Sequence, residues 1–176
     1  HLMEMTLSDP ESEPGIRAVS QIMAFEQWDP IWKALADPAR ATQFIKAIRC
    51  VGNVHAKNYL SGVVTNEAQP EATRLLAIEA MGQTPIPARE LVRLVQQNKL
   101  PKEFLAAAIR ALTLSPGPDT RMFAAEQLHL QEAEAELAEA NARVTNSDND
   151  RAAVEKLQRI ATAKVALAKS TAGRDQ

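Results

Sequence analysis

The residue types able to do covalent or metal chemistry are sparse in this chain, and their spacing limits what each can do. Cys50 is the one thiol among 176 residues. A nucleophilic cysteine needs a base or an electropositive neighbourhood to hold its thiolate, and no such motif accompanies it. It sits in the hexapeptide Ala47-Ile48-Arg49-Cys50-Val51-Gly52. That hexapeptide recurs as Ala77-Ile78-Glu79-Ala80-Met81-Gly82 and as Ala108-Ile109-Arg110-Ala111-Leu112-Thr113. Alanine at the two matching positions suits a small packed side chain, so a buried structural cysteine is expected rather than a nucleophile. His55 and His129 lie far apart without a carboxylate or cysteine cluster, and no metal site is expected. Asp148-Asn149-Asp150 has the opening of a calcium loop but lacks its glycine and terminal glutamate, and helix capping accounts for it. There is no glycine-rich phosphate loop and no Gly-x-Ser-x-Gly elbow. No base, nucleophile and oxyanion donor assemble, so the expectation is a non-enzymatic chain without a cofactor.

One charged pattern does repeat. Lys57, Arg89 and Arg121 are spaced by 32 residues each, and Arg93 lies one helical turn beyond Arg89. If each falls on the second helix of a repeat, the four form a modest positive groove able to take an acidic segment or helix of a partner protein. Against this stands a plain solvated face with scattered charge, which Glu90 and Glu126 nearby would further dilute.

The elements that would position this line follow from the hexapeptides. Ile48 to Ile78 is 30 residues and Ile78 to Ile109 is 31, a period that marks stacked helical repeats. The chain is 45% hydrophobic but only 4% aromatic, which suits helices packing closely on helices rather than a sandwich or barrel. Prolines and capping residues set the boundaries. Helices are expected at 15–27, 30–36, 38–51, 54–65, 70–82, 86–98 and 101–114, with Asn53 capping the fourth and Gly52 stopping the third in a left-handed conformation. Ser115-Pro116-Gly117-Pro118 is a sharp break before the next helix. The helices group into pairs 15–36, 38–65, 70–98 and 101–128. Leu60, Leu91 and Met122 keep a 31-residue spacing along the second helices, as do Ala56, Pro87 and Pro118. The first pair, with Trp28 and Trp32, departs from the period and is expected to cap the stack.

From Pro118 the pattern becomes a heptad. Phe123, Leu130, Leu137 and Val144 recur at seven residues, and a second helix is expected over 151–169 with Val154, Leu157, Ala161, Val165 and Ala168 on one side. The first of these helices carries Glu132, Glu134, Glu136 and Glu139; the second carries Lys156, Arg159, Lys164 and Lys169. An antiparallel hairpin over 119–169, its first helix continuous with the last repeat, would pair Glu139 with Lys156, Glu136 with Arg159 and Glu132 with Lys164. Residues 1–14 hold four carboxylates, no Lys or Arg and two prolines, and read as a disordered acidic tail in which His1-Leu2 looks like a tag scar. Residues 170–176 are also expected to be disordered.

Paired helices of about 31 residues, proline at helix starts and the inward aliphatic pattern resemble HEAT-type α-helical repeats over 38–128. The resemblance implies an all-α fold, a short right-handed α-solenoid of helix pairs over 15–128, and an interaction scaffold with no catalytic residue. Second helices line the concave face in such stacks, so Lys57, Arg89, Arg93 and Arg121 are the expected partner-binding residues. The stretch from Leu100-Pro101 to Leu128 also resembles helical repeats that precede c-type haem domains, but no Cys-x-x-Cys-His is present. A homodimer through 119–169 is a further expectation. Nucleic-acid binding by the same basic line is the alternative, against which the net charge of −2 and the scarcity of aromatics weigh. No run approaches the roughly 18 apolar residues of a membrane span, so no membrane association is expected. The single cysteine and the lack of a signal pattern point to the cytoplasm.

Overall fold

The computed structural model describes residues 1–24, 37–146 and 151–172, and every described element is helical. The chain divides into two units, His1–Arg121 and Met122–Gln176. The expected helix at 30–36, with Trp28 and Trp32, lies outside the described residues. So do residues 147–150.

In the first unit the helices are α1 (Leu2–Ser8), α2 (Glu13–Ile22), α3 (Pro38–Ile48), α4 (Val54–Thr65), α5 (Glu71–Met81), α6 (Pro85–Gln96) and α7 (Leu105–Thr113), the last preceded by a 3-10 turn at Lys102–Phe104. The start signals act as the sequence implies. Asp37 accepts from the Ala39 amide at 2.9 Å, and Asn53 accepts from the Ala56 amide at 2.8 Å. Proline occupies the first turn of α2, α3 and α6, where its missing N–H leaves no partner unsatisfied. Helices pack on their next-but-one neighbours: α3 on α5, α5 on α7, and α4 on α6. The hexapeptides supply the centre of the first of these layers. Ala47, Ile48, Ala77, Ile78 and Ala108 are wholly buried, and Ile109 nearly so. Phe44 meets Tyr59 edge-on at 4.9 Å between ring centroids, and burial pushes the Tyr59 hydroxyl's pKa up.

Two hexapeptide positions differ from expectation. Cys50 is exposed, whereas Ala80 and Ala111 are buried. The reason is helix length: α5 and α7 continue three and four residues past Ile78 and Ile109, but α3 ends at Ile48 and leaves Cys50 in the turn. Gly52 is not left-handed, because Asn98 is the one residue with positive φ among those described. Glycine matters instead at Gly82, where an added Cβ would lie 2.5 Å from the Ala111 carbonyl oxygen. The last turn of α5 thus approaches the backbone of α7 too closely for a side chain.

One cross-connection in this unit has no signal in the sequence. Arg74 on α5 is 8% exposed. Its Nε donates to the Val64 carbonyl at 2.9 Å, one of the last unpaired carbonyls of α4, and its guanidinium lies 4.6 Å over the Phe104 ring. One side chain therefore joins α4, α5 and the turn before α7. At the other end, the segment expected to be a disordered tail carries α1 and the start of α2. Thr6 is fully buried, Ser12 caps α2 by accepting from the Gly15 amide, and Glu11 pairs with Arg49 at 2.7 Å. The charge count of 1–14 missed these anchors, because Leu2, Met5 and Thr6 belong to a helix packed against α2 and α3.

In the second unit, α8 (Pro118–Asn146, which begins in the first unit) runs two residues past Val144, the last heptad position, and α9 (Arg151–Ala172) runs past the expected end at 169. Of the heptad residues, Phe123 is buried and Leu130 and Leu137 are half-buried, while the alanines Ala133, Ala140 and Ala161 are buried. The partners differ by about one turn. Gln158 donates to Asn141 at 2.6 Å and Lys164 to Glu136 at 2.6 Å, giving residue numbers that sum to 299 and 300 instead of about 295. Glu132, the expected partner of Lys164, has His129 within 3.5 Å instead. Leu157, expected in the seam, is 45% exposed. Acids recur every two or three residues from Glu132 to Glu139, so sliding by a turn still sets acid opposite base, and an alanine seam discriminates weakly between the two. The Glu139–Lys156 pair involves a side chain outside those described.

Arg74→Ala should cost about 3.5–5 kcal/mol in urea unfolding, the sum expected for a charged hydrogen bond and a desolvated cation–π contact. Arg74→Lys should lose more than half of that, because an ammonium cannot both lie flat on the ring and reach Val64. In native buffer one thiol per chain should react promptly with a disulfide reagent; a thiol that reacts only in denaturant would mean Cys50 is buried.

Candidate functional site

The four expected partner-binding cations sit on α4, α6 and the first turn of α8. Lys57 is half-buried, and Arg89, Arg93 and Arg121 are exposed. They do not form a bare positive stripe. Arg93 grips Glu90 with both arms of its guanidinium, Nε to Oε2 at 2.8 Å and Nη2 to Oε1 at 2.5 Å. Glu90 itself is 8% exposed and also accepts from Ser61 Oγ on α4 at 3.3 Å. The Arg93 bond, the charges of Arg93 and Lys57 and the Ser61 bond hold the Glu90 carboxyl below its usual range, against the opposing effect of burial.

Arg89 is neutralised in the same way by the next element. Its Nε donates to Asp119 Oδ2 at 2.9 Å, which lowers the Asp119 pKa. Arg121 donates from Nη1 to the carbonyls of Ser115 at 2.7 Å and Pro116 at 3.0 Å. Carbonyls satisfy the guanidinium without cancelling its charge. Four cations against Glu90 and Asp119 leave a net charge of +2 on these six residues. Their pattern is alternating, with the positive charge that no carboxylate cancels concentrated at the two ends of the line, Lys57 and Arg121.

Three polar links between helices span nearly the same number of residues. Ser61–Glu90 spans 29 residues, Arg89–Asp119 spans 30, and Arg110–Glu79 on the other helix layer spans 31. Each joins a helix to the next-but-one helix along the chain. The line therefore has a structural duty as well as a surface one.

The break before α8 is better knit than a flexible loop. Ser115 and Thr120 are almost fully buried, and the Thr120 hydroxyl lies 2.8 Å from both Ser115 Oγ and the Gly117 carbonyl. This anchoring turns the third second-layer helix out of phase. Met122 and Pro118 are exposed where Leu60, Leu91, Ala56 and Pro87 are buried, and Thr120, Phe123 and Ala124 are the buried positions there. No spacing rule signals it, because it depends on which way the Thr120 hydroxyl closes the turn. Elsewhere the concavities are shallow and of mixed lining: about 290 Å³ between α1 and α2, and about 630 Å³ beside Leu137, Asn141, Gln158 and Arg159 in the second unit. Among the described residues no three His, Cys, Asp or Glu side chains gather as metal ligands, and no helix is long and apolar enough to cross a membrane.

Compared with protein-family models, curated proteins and solved structures, the chain matches none.

Glu90 gives this site a pH signature. Its carboxyl is held below the unfolded value of about 4.3, so its stabilisation is present above that pH and is lost as pH falls through the folded value. Glu90→Gln should therefore destabilise the protein by on the order of 1 kcal/mol at neutral pH and flatten the loss of stability below pH ~4. Urea midpoints taken across the acid range check this, and an unchanged acid limb would remove Glu90 from the account.

Proposed function

We propose that this chain is a non-enzymatic interaction scaffold: a short HEAT-like α-solenoid that binds a partner protein along its second helices, with α8 and α9 folded as an antiparallel hairpin that serves as arm or oligomer contact. The packing of α3 on α5 on α7 and of α4 on α6 supports the stacked arrangement. The single observation that carries the binding face is the line from Lys57 to Arg121, built across successive helices by links at the repeat spacing. A face fixed in this way is preorganised, so binding does not have to order it.

The alternating charge also favours one class of partner. A polyanion such as nucleic acid gains affinity by neutralising phosphates with uncommitted cations, yet Arg89 and Arg93 already have carboxylate partners. An acidic helix that contacts Lys57 and Arg121 at the ends of the line, and lies over the ion pairs between them, fits the net charge of +2 without displacing Asp119 or Glu90.

A fluorescent acidic helical peptide titrated into the full chain tests this. Lys57→Glu with Arg121→Glu should weaken binding at least about tenfold, the loss of two rim charges at low salt, while Arg110→Glu, on the other helix layer, should leave it unchanged. Equal loss in both variants would sink the assignment to this face. Tighter, steeply salt-dependent binding to generic duplex or single strands would instead support the nucleic-acid reading.

A further inference from the structure

Helices α4 and α6 open on residues that a bare surface does not favour. The first turn of an exposed helix is stabilised by carboxylates, which meet the positive end of the helix dipole. Neither helix has an acid there. Val54 begins α4 at 52% exposure, and Ile86, the second residue of α6, is 38% exposed. A single exposed aliphatic side chain is ordinary. Among the described residues of the first unit, however, three large apolar side chains are exposed, and two of them head neighbouring helices.

Two contacts place these two side by side. Ahead of both helices, a Cβ added at Gly52 would lie 3.2 Å from Thr84 Cβ, so the residues just before α4 and α6 touch. Further along, the Ser61 hydroxyl meets Glu90 at 3.3 Å. The helices therefore run parallel, and Val54 and Ile86, each two residues past the first contact, stand level with one another. The basic line runs beside them. Val54, Ile86 and Pro118 precede Lys57, Arg89 and Arg121 by three residues each, which puts an exposed apolar side chain and a cation on one face of each helix, a turn apart. Pro118 is itself exposed, and Arg89 holds its neighbour Asp119.

We infer that the Lys57–Arg121 face takes an amphipathic acidic helix, whose aliphatic side chains seat on Val54 and Ile86 while its carboxylates reach Lys57 and Arg121. Charge sets the sign of the partner, since Arg89 and Arg93 are held by carboxylates and the positive charge left over is that of Lys57 and Arg121. The apolar row sets its second property. A helix bound in a groove presents anchors at i, i+3, i+4 and i+7, and acids interleaved with such anchors fall on its flanks. A phosphate backbone, or an acidic segment without aliphatic residues, would leave Val54 and Ile86 in water. This rests on the binding face proposed above and adds the apolar half of the recognition to it.

Fluorescence anisotropy with two labelled synthetic helices on the full chain decides it. Both are about 18 residues long, enough to hold a helix, and carry the same glutamates; one has a leucine face and the other has alanine at those positions. The leucine helix should bind wild type at least about tenfold more tightly, the gain expected from partly burying two aliphatic side chains. This margin should persist at about 0.5 M salt, where charge contacts are screened. Val54→Ser with Ile86→Ser should remove the margin while leaving alanine-helix binding and the helical circular dichroism unchanged, since both positions are exposed. If the double-serine variant binds the leucine helix as wild type does, while Lys57→Glu with Arg121→Glu weakens both helices, the inference is overturned and the charged face stands. If neither pair of substitutions changes binding, the face itself is wrong and the inference falls with it. Single-stranded or duplex DNA that binds more tightly than the leucine helix would overturn it too.

Discussion

The guanidinium of Arg74 is the contact on which the first unit turns. The described residues form helices with no sheet to tie them together, and each helix ends in carbonyls that need donors. Arg74 reaches from α5 to a terminal carbonyl of α4 while its flat face covers Phe104. It thus satisfies a polar group and caps an aromatic side chain with one desolvated charge. The close approach of Gly82 to the Ala111 backbone holds the last turn of α5 against α7. Between these two points the aliphatic hexapeptides fill the space, and their freedom to slide is small.

Around that centre, polar links spanning 29 to 31 residues have a second consequence. Arg89–Asp119 and Ser61–Glu90 set neighbouring second helices side by side. Together with the Arg93–Glu90 pair they cancel half of the positive charge that the spacing of basic residues suggests. The face that remains carries positive charge at its ends and ion pairs between them. Exposed ion pairs contribute about 0–1 kcal/mol each to stability, so Arg89–Asp119 matters more for geometry than for energy. Glu90 is different, because it is buried and doubly held by Arg93.

The second unit is built the opposite way. Its described buried residues are mostly alanines, and its charge is divided between two helices instead of being mixed along each. Alanine seams permit close approach but fix register weakly, since one turn of sliding replaces one alanine by another. The observed offset of one turn from the charge-based register follows from that degeneracy, and it moves Leu157 from the seam to the surface.

Much of the architecture was legible in the chain itself. Helix starts at Pro38, after Asn53 and near Pro85, the buried hexapeptide aliphatics and the long heptad helix from Pro118 all follow from local rules of capping, proline geometry and 3.6-residue periodicity. The spacing of Lys57, Arg89, Arg93 and Arg121 was legible too, but not what each one holds. Partner choice depends on residues brought together from different helices: Glu90 with Ser61, Asp119 with Arg89, Arg74 with Phe104. Cys50 shows the same limit in miniature, since its alignment with Ala80 and Ala111 is real, yet α3 stops two residues before it and leaves it in solvent. Local sequence determined where helices begin and which faces are apolar, because those are decided within one or two turns. Register, burial of single positions and cancellation of charge were decided only by the tertiary structure, because they depend on contacts between helices far apart in the chain.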